Sequence, residues 1–192
     1  MKKILKLFLI CSILLFCTQQ TFAVQTLDEK KEEIFALYTS NNIEQAHKQI
    51  SMLTENERDY ETWFLLGNIS QDLNNEENSI FYLQKSIKLK PDFDKAHYNL
   101  ANIYFNQKKY NMAIKEYKEA IKHKKDFPYY YYNLACAYIA QKEYKEAKTM
   151  LKKAIKLKKE ADFYYNLAFV NKQLKKEKEY TQALSEYEKL KG

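Results

Sequence analysis

Phe64-Leu65-Leu66-Gly67-Asn68, Tyr98-Asn99-Leu100-Ala101-Asn102, Tyr132-Asn133-Leu134-Ala135-Cys136 and Tyr165-Asn166-Leu167-Ala168-Phe169 are four versions of one five-residue phrase. Their leucines are spaced by 34, 34 and 33 residues. A second phrase follows each: Ser79/Leu83/Ser86, Ala113/Tyr117/Ala120, Ala147/Leu151/Ala154 and Ala183/Tyr187/Leu190. A period of this length corresponds to one helical hairpin rather than to a single helix or strand. Around the first phrase, Trp63, Leu66, Gly67 and Ser70 fall on one helical stripe. Gly67, Ala101, Ala135 and Ala168 are small enough to admit a partner helix closely. Ala113, Ala120, Ala147 and Ala154 do the same from the other side, with Tyr117 and Leu151 filling the space between. One such hairpin cannot bury its stripe alone, so consecutive hairpins must stack.

The rest of the composition agrees. Only 2 Gly and 2 Pro punctuate 192 residues, which suits helices joined by short polar turns and disfavours a turn-rich β fold. Turns are expected at Asn74-Asn75, Gln107-Lys108-Lys109 and Gln141-Lys142. Aromatic residues make up 15%, too much for a disordered chain.

The two phrases resemble the tetratricopeptide repeat family, whose pattern runs aromatic-x-x-Leu-small-x-x-aromatic in a first helix and small-large-small in a second, often closed by Pro. Trp63/Leu66/Gly67 with Pro91, His97/Leu100/Ala101/Tyr104, Tyr131/Leu134/Ala135/Tyr138 and Tyr164/Leu167/Ala168 carry the resemblance. It implies an all-α, right-handed superhelical stack of antiparallel hairpins at 60–93, 94–127, 128–160 and 161–192. Ala46/Ile50/Leu53 are half a match and suggest a worn hairpin over 24–59. The chain departs from the family at Ser70 and Asn171, where an aromatic is expected, and at Lys125 and Lys159, where Pro is expected. About three additional residues are expected between Lys172 and Tyr180.

The N-terminus is a separate object. Met1-Lys2-Lys3 is followed by a 13-residue, largely apolar run from Ile4 to Phe16, then by Thr21-Phe22-Ala23. This is the layout of a secretory signal peptide over 1–23 and implies an exported, periplasmic protein. Retention as a membrane anchor is the alternative, although the run is shorter than the ~20 residues that span a bilayer. Lipidation at Cys17 is another, with bulky Phe16 against it. Cleavage after Ala23 removes Lys2, Lys3 and Lys6, leaving 29 basic against 25 acidic residues and one cysteine, Cys136. That mild excess implies no nucleic-acid partner. A lone cysteine makes no internal disulfide, so packing must stabilise the fold.

In this family the first helices line a concave groove that receives a partner segment. Carried onto this sequence, the groove residues are Phe64, Asn68, Gln71 and Asp72; Lys95, Tyr98, Asn102 and Phe105; Tyr129, Tyr132, Cys136 and Ile139; Asp162, Tyr165, Phe169 and Lys172. Phe64, Tyr98, Phe105, Tyr129, Tyr132, Tyr165 and Phe169 make this surface aromatic, with Asn68 and Asn102 as amides. The expected partner is a protein segment with apolar or aromatic side chains, unless these rings pack between repeats instead. A subgroup of the family grips a C-terminal carboxylate with cations. Phe64, Tyr98 and Asp162 stand where those cations would be, so that mode is not expected. Asn102, Asn133 and Asn166 are expected to hydrogen-bond between helices.

No catalytic constellation is evident. His47, His97 and His123 do not pair at metal-ligand spacing, Cys136 has no evident base, and there is no Gly-rich phosphate loop. No cofactor or metal is implied. The lysine-rich stretches 122–125 and 152–159 read as solvated helix ends, with contact to an anionic membrane or envelope surface as the sharper alternative. Self-association through the worn first hairpin and the last helix, with Leu184 and Leu190, is a second function class.

Overall fold

The computed structural model describes residues 25–192. The expected signal peptide and Cys17 lie outside the described residues. Ten α-helices follow one another as five antiparallel hairpins: α1 (Leu27–Thr39) with α2 (Ile43–Ser51), α3 (Tyr60–Asp72) with α4 (Glu76–Leu89), α5 (Asp94–Asn106) with α6 (Tyr110–His123), α7 (Pro128–Ala140) with α8 (Tyr144–Leu157), and α9 (Ala161–Gln173) with α10 (Glu177–Lys191). Each helix packs on its hairpin partner, and the second helix of each of the first four hairpins packs on the first helix of the next. First helices also touch first helices, in the pairs α1–α3, α5–α7 and α7–α9, whereas consecutive second helices pack less closely. The stack therefore curves, with first helices inside and second helices outside.

Local chemistry sets the boundaries. Thr26 and Glu29 form a reciprocal capping box at the start of α1. Asp59 caps α3 through the Thr62 amide at 2.8 Å. Pro128 opens α7, where its missing N–H costs nothing. All five hairpin turns are alike. Asn41, Asn74, Lys108, Lys142 and Lys175 have φ between 56° and 63°. In each turn, two amides bond back to the last carbonyls of the first helix, as in Lys109 N–H to Tyr104 O at 2.8 Å and Lys108 N–H to Phe105 O at 2.9 Å. Asparagine suits the left-handed region; lysine does so at a cost of about 1 kcal/mol.

The small residues admit the second helices as expected. A Cβ on Gly67 would lie 2.8 Å from Leu83 Cγ, and Ser79 Oγ donates to Gly67 O at 2.7 Å. Ala101 and Ala113, Ala135 and Ala147 are fully buried at the same places. The apolar interior has two main clusters. One joins Ile34, Ala46, Ile50 and Leu53 of the first hairpin to Trp63, Leu65, Leu66 and Ile69 of α3. The other runs from Leu83 to Ala183 through the remaining hairpins. The half-match in α2 is thus a true core register, and the worn part is α1, which buries only Ile34.

One expectation is corrected. No additional residues separate α9 from α10. The turn Leu174-Lys175-Lys176 has the length of the others, and Tyr180 N–H bonds Lys176 O just as Ala147 N–H bonds Glu143 O. Tyr180 therefore stands where Ala113 and Ala147 stand, and Ala183 lies one turn later. The alanine misled the alignment because it too is buried, at 3% exposure. Across from Tyr180 the first helix carries Asn171 in place of the aromatics Tyr104 and Tyr138. Its side-chain amide donates to Glu179 O at 3.2 Å.

Candidate functional site: the inner face of the first helices

The period places one asparagine on the inner face of each of α5, α7 and α9, just before the repeat leucine. Each reaches back to the preceding hairpin. Asn99 Nδ2 donates to Asn68 Oδ1 at 2.7 Å. Asn133 Nδ2 donates to the Tyr98 hydroxyl at 2.9 Å and to Asn102 Oδ1 at 3.1 Å. Asn166 Nδ2 donates to the Tyr132 hydroxyl at 3.2 Å and reaches Cys136 Sγ at 3.5 Å. These amides tie one hairpin to the next, and two of the expected groove residues, Asn68 and Asn102, are engaged in doing so.

Most of the expected aromatic surface is likewise committed. Phe64 meets Phe93 edge-on with ring centroids 5.0 Å apart. Tyr98 lies against Tyr130 at 4.8 Å and Tyr117 at 6.0 Å. Tyr132 stacks on Phe163 at 4.7 Å. The Tyr129 hydroxyl donates to Glu160 Oε1 at 2.6 Å. All four side chains are half-buried. Phe105 is half-buried against Tyr110. Tyr165 and Phe169 differ: they are 56% and 39% exposed.

Between α3, α5 and α7 lies an open hollow of about 420 Å³, lined by Gln71, Asn102, Phe105, Asn106, Asn133 and Cys136. Tyr117 of α6 also reaches it. Its hydroxyl donates to Asn102 Oδ1 at 2.7 Å, so a core residue of the outer helix supplies part of the inner surface. Sequence reasoning took Tyr117 for space-filling alone. The available signal was its contrast with Leu83 and Leu151, which are wholly aliphatic at the same repeat position. The hollow's lining holds amides, a phenol, a thiol and a ring but no charge. Burial pushes the Cys136 thiol up to about 11, despite hydrogen bonds from Tyr132 and Asn166 that favour the thiolate, so the sulfur is a poor nucleophile at neutral pH.

His97 takes the place of the aromatics Trp63, Tyr131 and Tyr164. Its Nδ1 lies 2.7 Å from Glu116 Oε2 and its Nε2 3.0 Å from Pro91 O. Both neighbours carry acceptor oxygens, so the site favours the protonated ring, in which both nitrogens can donate. Burial pulls its pKa down, but the Glu116 bond, the Pro91 carbonyl and the charges of Glu116 and Glu119 outweigh burial and hold it above the ordinary histidine value. Among the described residues, no group of three or more His, Cys, Asp or Glu could hold a metal ion.

Profiles of the tetratricopeptide repeat match residues 60–93, 94–127 and 128–160. No curated protein matches the sequence. Among solved structures, a double mutant of MamA from strain RS-1 superposes with a TM-score of 0.78 at 18% identity, covering 86% of this chain and 94% of that one. Another MamA structure gives 0.77 at 19% identity, covering 85% and 90%. MamA from Desulfovibrio magneticus RS-1, from residue 41 to its end, gives 0.73 at 18% identity, covering 85% and 92%. At these identities the likeness is one of fold.

Proposed function

From the premise that this chain belongs to the tetratricopeptide repeat family, matched over residues 60–160, we propose that it is an exported interaction scaffold of the cell envelope. Its inner face holds an apolar or aromatic segment of another protein and performs no chemistry of its own. The observation that carries this reading is the uncharged hollow of Gln71, Asn102, Phe105, Asn106 and Asn133, continued along the inner face by exposed Tyr165 and Phe169. A segment lying there would bury its apolar side chains on Phe105, Tyr165 and Phe169 and bond the amides of Gln71 and Asn106. The leader-like residues 1–23 support export, with release after Ala23; retention of that segment or lipidation at Cys17 would instead hold the scaffold at a membrane. Photo-crosslinking side chains at Phe105 and Phe169, with one at Lys145 on the outer face as control, test the reading. Adducts with the same partner from both inner positions and none from Lys145 are expected; a uniform pattern across the three would sink it.

A specific observation favours a second reading. The last hairpin leaves Tyr165, Phe169 and Leu190 exposed at the end of the stack, where another copy could continue the array. This makes the chain a self-associating structural protein. Sedimentation across concentration decides it, since a monomer at every concentration excludes end-to-end stacking.

A further inference from the structure

The mild basic excess of residues 25–192, 29 basic against 25 acidic, conceals a strong separation. Residues 25–107 carry 8 basic and 14 acidic side chains, whereas residues 108–192 carry 21 basic and 11 acidic. The excess is concentrated further, since residues 108–159 hold 15 lysines against 5 acids. The inner helix α7 contributes nothing to it, having no charged residue at all. The lysines belong to the outer helices α6 and α8 and their flanks. On α6, Lys115, Lys118 and Lys122 step by three and four along the exposed side; on α8, Lys145, Lys152 and Lys156 step by seven and four. Lys115, Lys118, Lys145, Lys152, Lys153 and Lys156 are exposed, and none is in an ion pair among the described residues. The acids on and beside these two helices are few: Glu116, bonded to His97, Glu119, already paired with Lys122, Glu143 at the start of α8, and Glu146.

Helix-end lysines are favourable to the helix dipole, but that argument reaches only the last turn. It accounts for Lys122 and Lys156 and not for Lys115, Lys118, Lys145 or Lys152. The other outer helices show what the fold itself requires. α4 mixes Glu76 and Glu77 with Lys85 and Lys88, and α10 mixes Glu177, Glu179, Glu186 and Glu188 with its lysines. A basic outer face is therefore peculiar to the two middle repeats.

The chemistry of the face narrows its partner. Its cations are lysines, with His123 at the end of α6; the chain's one arginine is Arg58, between the first and second hairpins. Lysine acts as a point charge, without the planar fork that reads bases or paired carboxylates. No exposed Phe, Tyr or Trp ring lies on these helices to stack on a base. The large exposed apolar residues there are aliphatic: Met112, 46% exposed, one turn from Lys115, and Leu157, 44% exposed, beside Lys153 and Lys156. Lysines interspersed with exposed aliphatic side chains suit a layer that is anionic at its surface and hydrocarbon beneath.

We propose that the outer face of α6 and α8 docks on an anionic phospholipid bilayer. In this orientation the inner face of the first helices points away from the membrane, open to a partner. The acidic first half of the stack projects beyond the contact. Each lysine brought to such a surface gains roughly fivefold in partitioning.

Vesicle co-sedimentation of the full chain tests the proposal. The vesicles are phosphatidylcholine alone or phosphatidylcholine with a minority of phosphatidylglycerol. Binding is expected to require phosphatidylglycerol and to fall as salt is raised. Lys115→Gln/Lys118→Gln/Lys152→Gln/Lys156→Gln should weaken it by roughly 600-fold with an unchanged Tm, since all four side chains are exposed. The same number of charges removed from the last hairpin, at Lys175, Lys178, Lys189 and Lys191, should change it less than about threefold. Equal binding to both vesicle types would show insertion of the apolar N-terminus and overturn the proposal. So would full binding by the α6/α8 variant. Salt-sensitive self-assembly without vesicle binding would assign the basic face to the acidic half of a second copy, and would overturn it too.

Discussion

Tyr98, Tyr132 and Tyr165 occupy one repeat position on three successive hairpins, yet their surroundings are opposite. Tyr98 and Tyr132 are half-buried, their rings on Tyr130 and Phe163 and their hydroxyls bonded by Asn133 and Asn166 of the following hairpin. Tyr165 has no following hairpin among the described residues. Its ring leans on Tyr187 of its own second helix at 5.4 Å, and it is 56% exposed. A tyrosine at this position is thus a joint between repeats first and a binding group only where the array stops. An aromatic inner face read from the repeat pattern overstates the surface offered to a ligand.

The largest test of that contrast is Tyr132→Ala against Tyr165→Ala. The first should destabilise by about 3 kcal/mol and the second by less than about 1 kcal/mol, measured by urea unfolding. Similar losses at both sites would break the comparison. Removing the neighbour instead of the ring is the converse experiment. A chain ended at Glu160 loses Asn166 and Phe163, so Tyr132 becomes what Tyr165 is now. Burial no longer holds the Cys136 thiol near 11, and its return toward 9.0 should speed alkylation at mildly alkaline pH by up to about a hundredfold. An unchanged rate would mean that the last hairpin does not cover this sulfur. Asn133→Ala isolates the hydrogen bonds from the rings. It leaves the Tyr98 hydroxyl without its donor and Asn102 Oδ1 with Tyr117 alone, and should cost about 1–2 kcal/mol, whereas Asn106→Ala, an amide in the hollow outside the ladder, should cost less than about 0.5 kcal/mol. The smallest effect concerns His97. Its folded pKa is raised, so its contribution is fully present below the unfolded value and is lost as pH rises through the folded one. Wild-type Tm should fall over that interval, and His97→Tyr, the residue its sister repeats carry, should flatten the profile; an equal slope in both proteins would place the titration elsewhere.

The stack was legible because its two periods, helical and 34-residue, reinforce each other at leucines and alanines that have little choice of place. What failed was a register carried by a single alanine: Ala183 resembles Ala147 in type, while the turn at Lys175 fixes Tyr180 as its counterpart. The turns themselves carried a weak signal, since three of the five left-handed residues are lysines, which nothing in sequence marks for that conformation. The inner face was legible as a list but not as a surface. Whether Phe64 or Tyr98 meets solvent depends on Phe93 and Tyr130 in the next hairpin, and side chains a full repeat away leave no periodic trace of their contact. Tyr117 escaped altogether because its hydroxyl acts on the far side of the helix pair from its backbone.

The division of the interior into two clusters gives the molecule a built-in reporter. Trp63 is the only tryptophan and belongs to the smaller cluster, against the first hairpin, with the Arg58 guanidinium 4.9 Å from its ring centroid. Indole emission therefore registers whether α1 and α2 are seated, while the helical signal at far-ultraviolet wavelengths is dominated by the eight helices beyond them. Under increasing denaturant the two signals should part company, with emission changing first as the thinly anchored α1 leaves. The chain then behaves as two cooperative units on one backbone, and the lag between its optical transitions measures how loosely its front end is coupled to the rest.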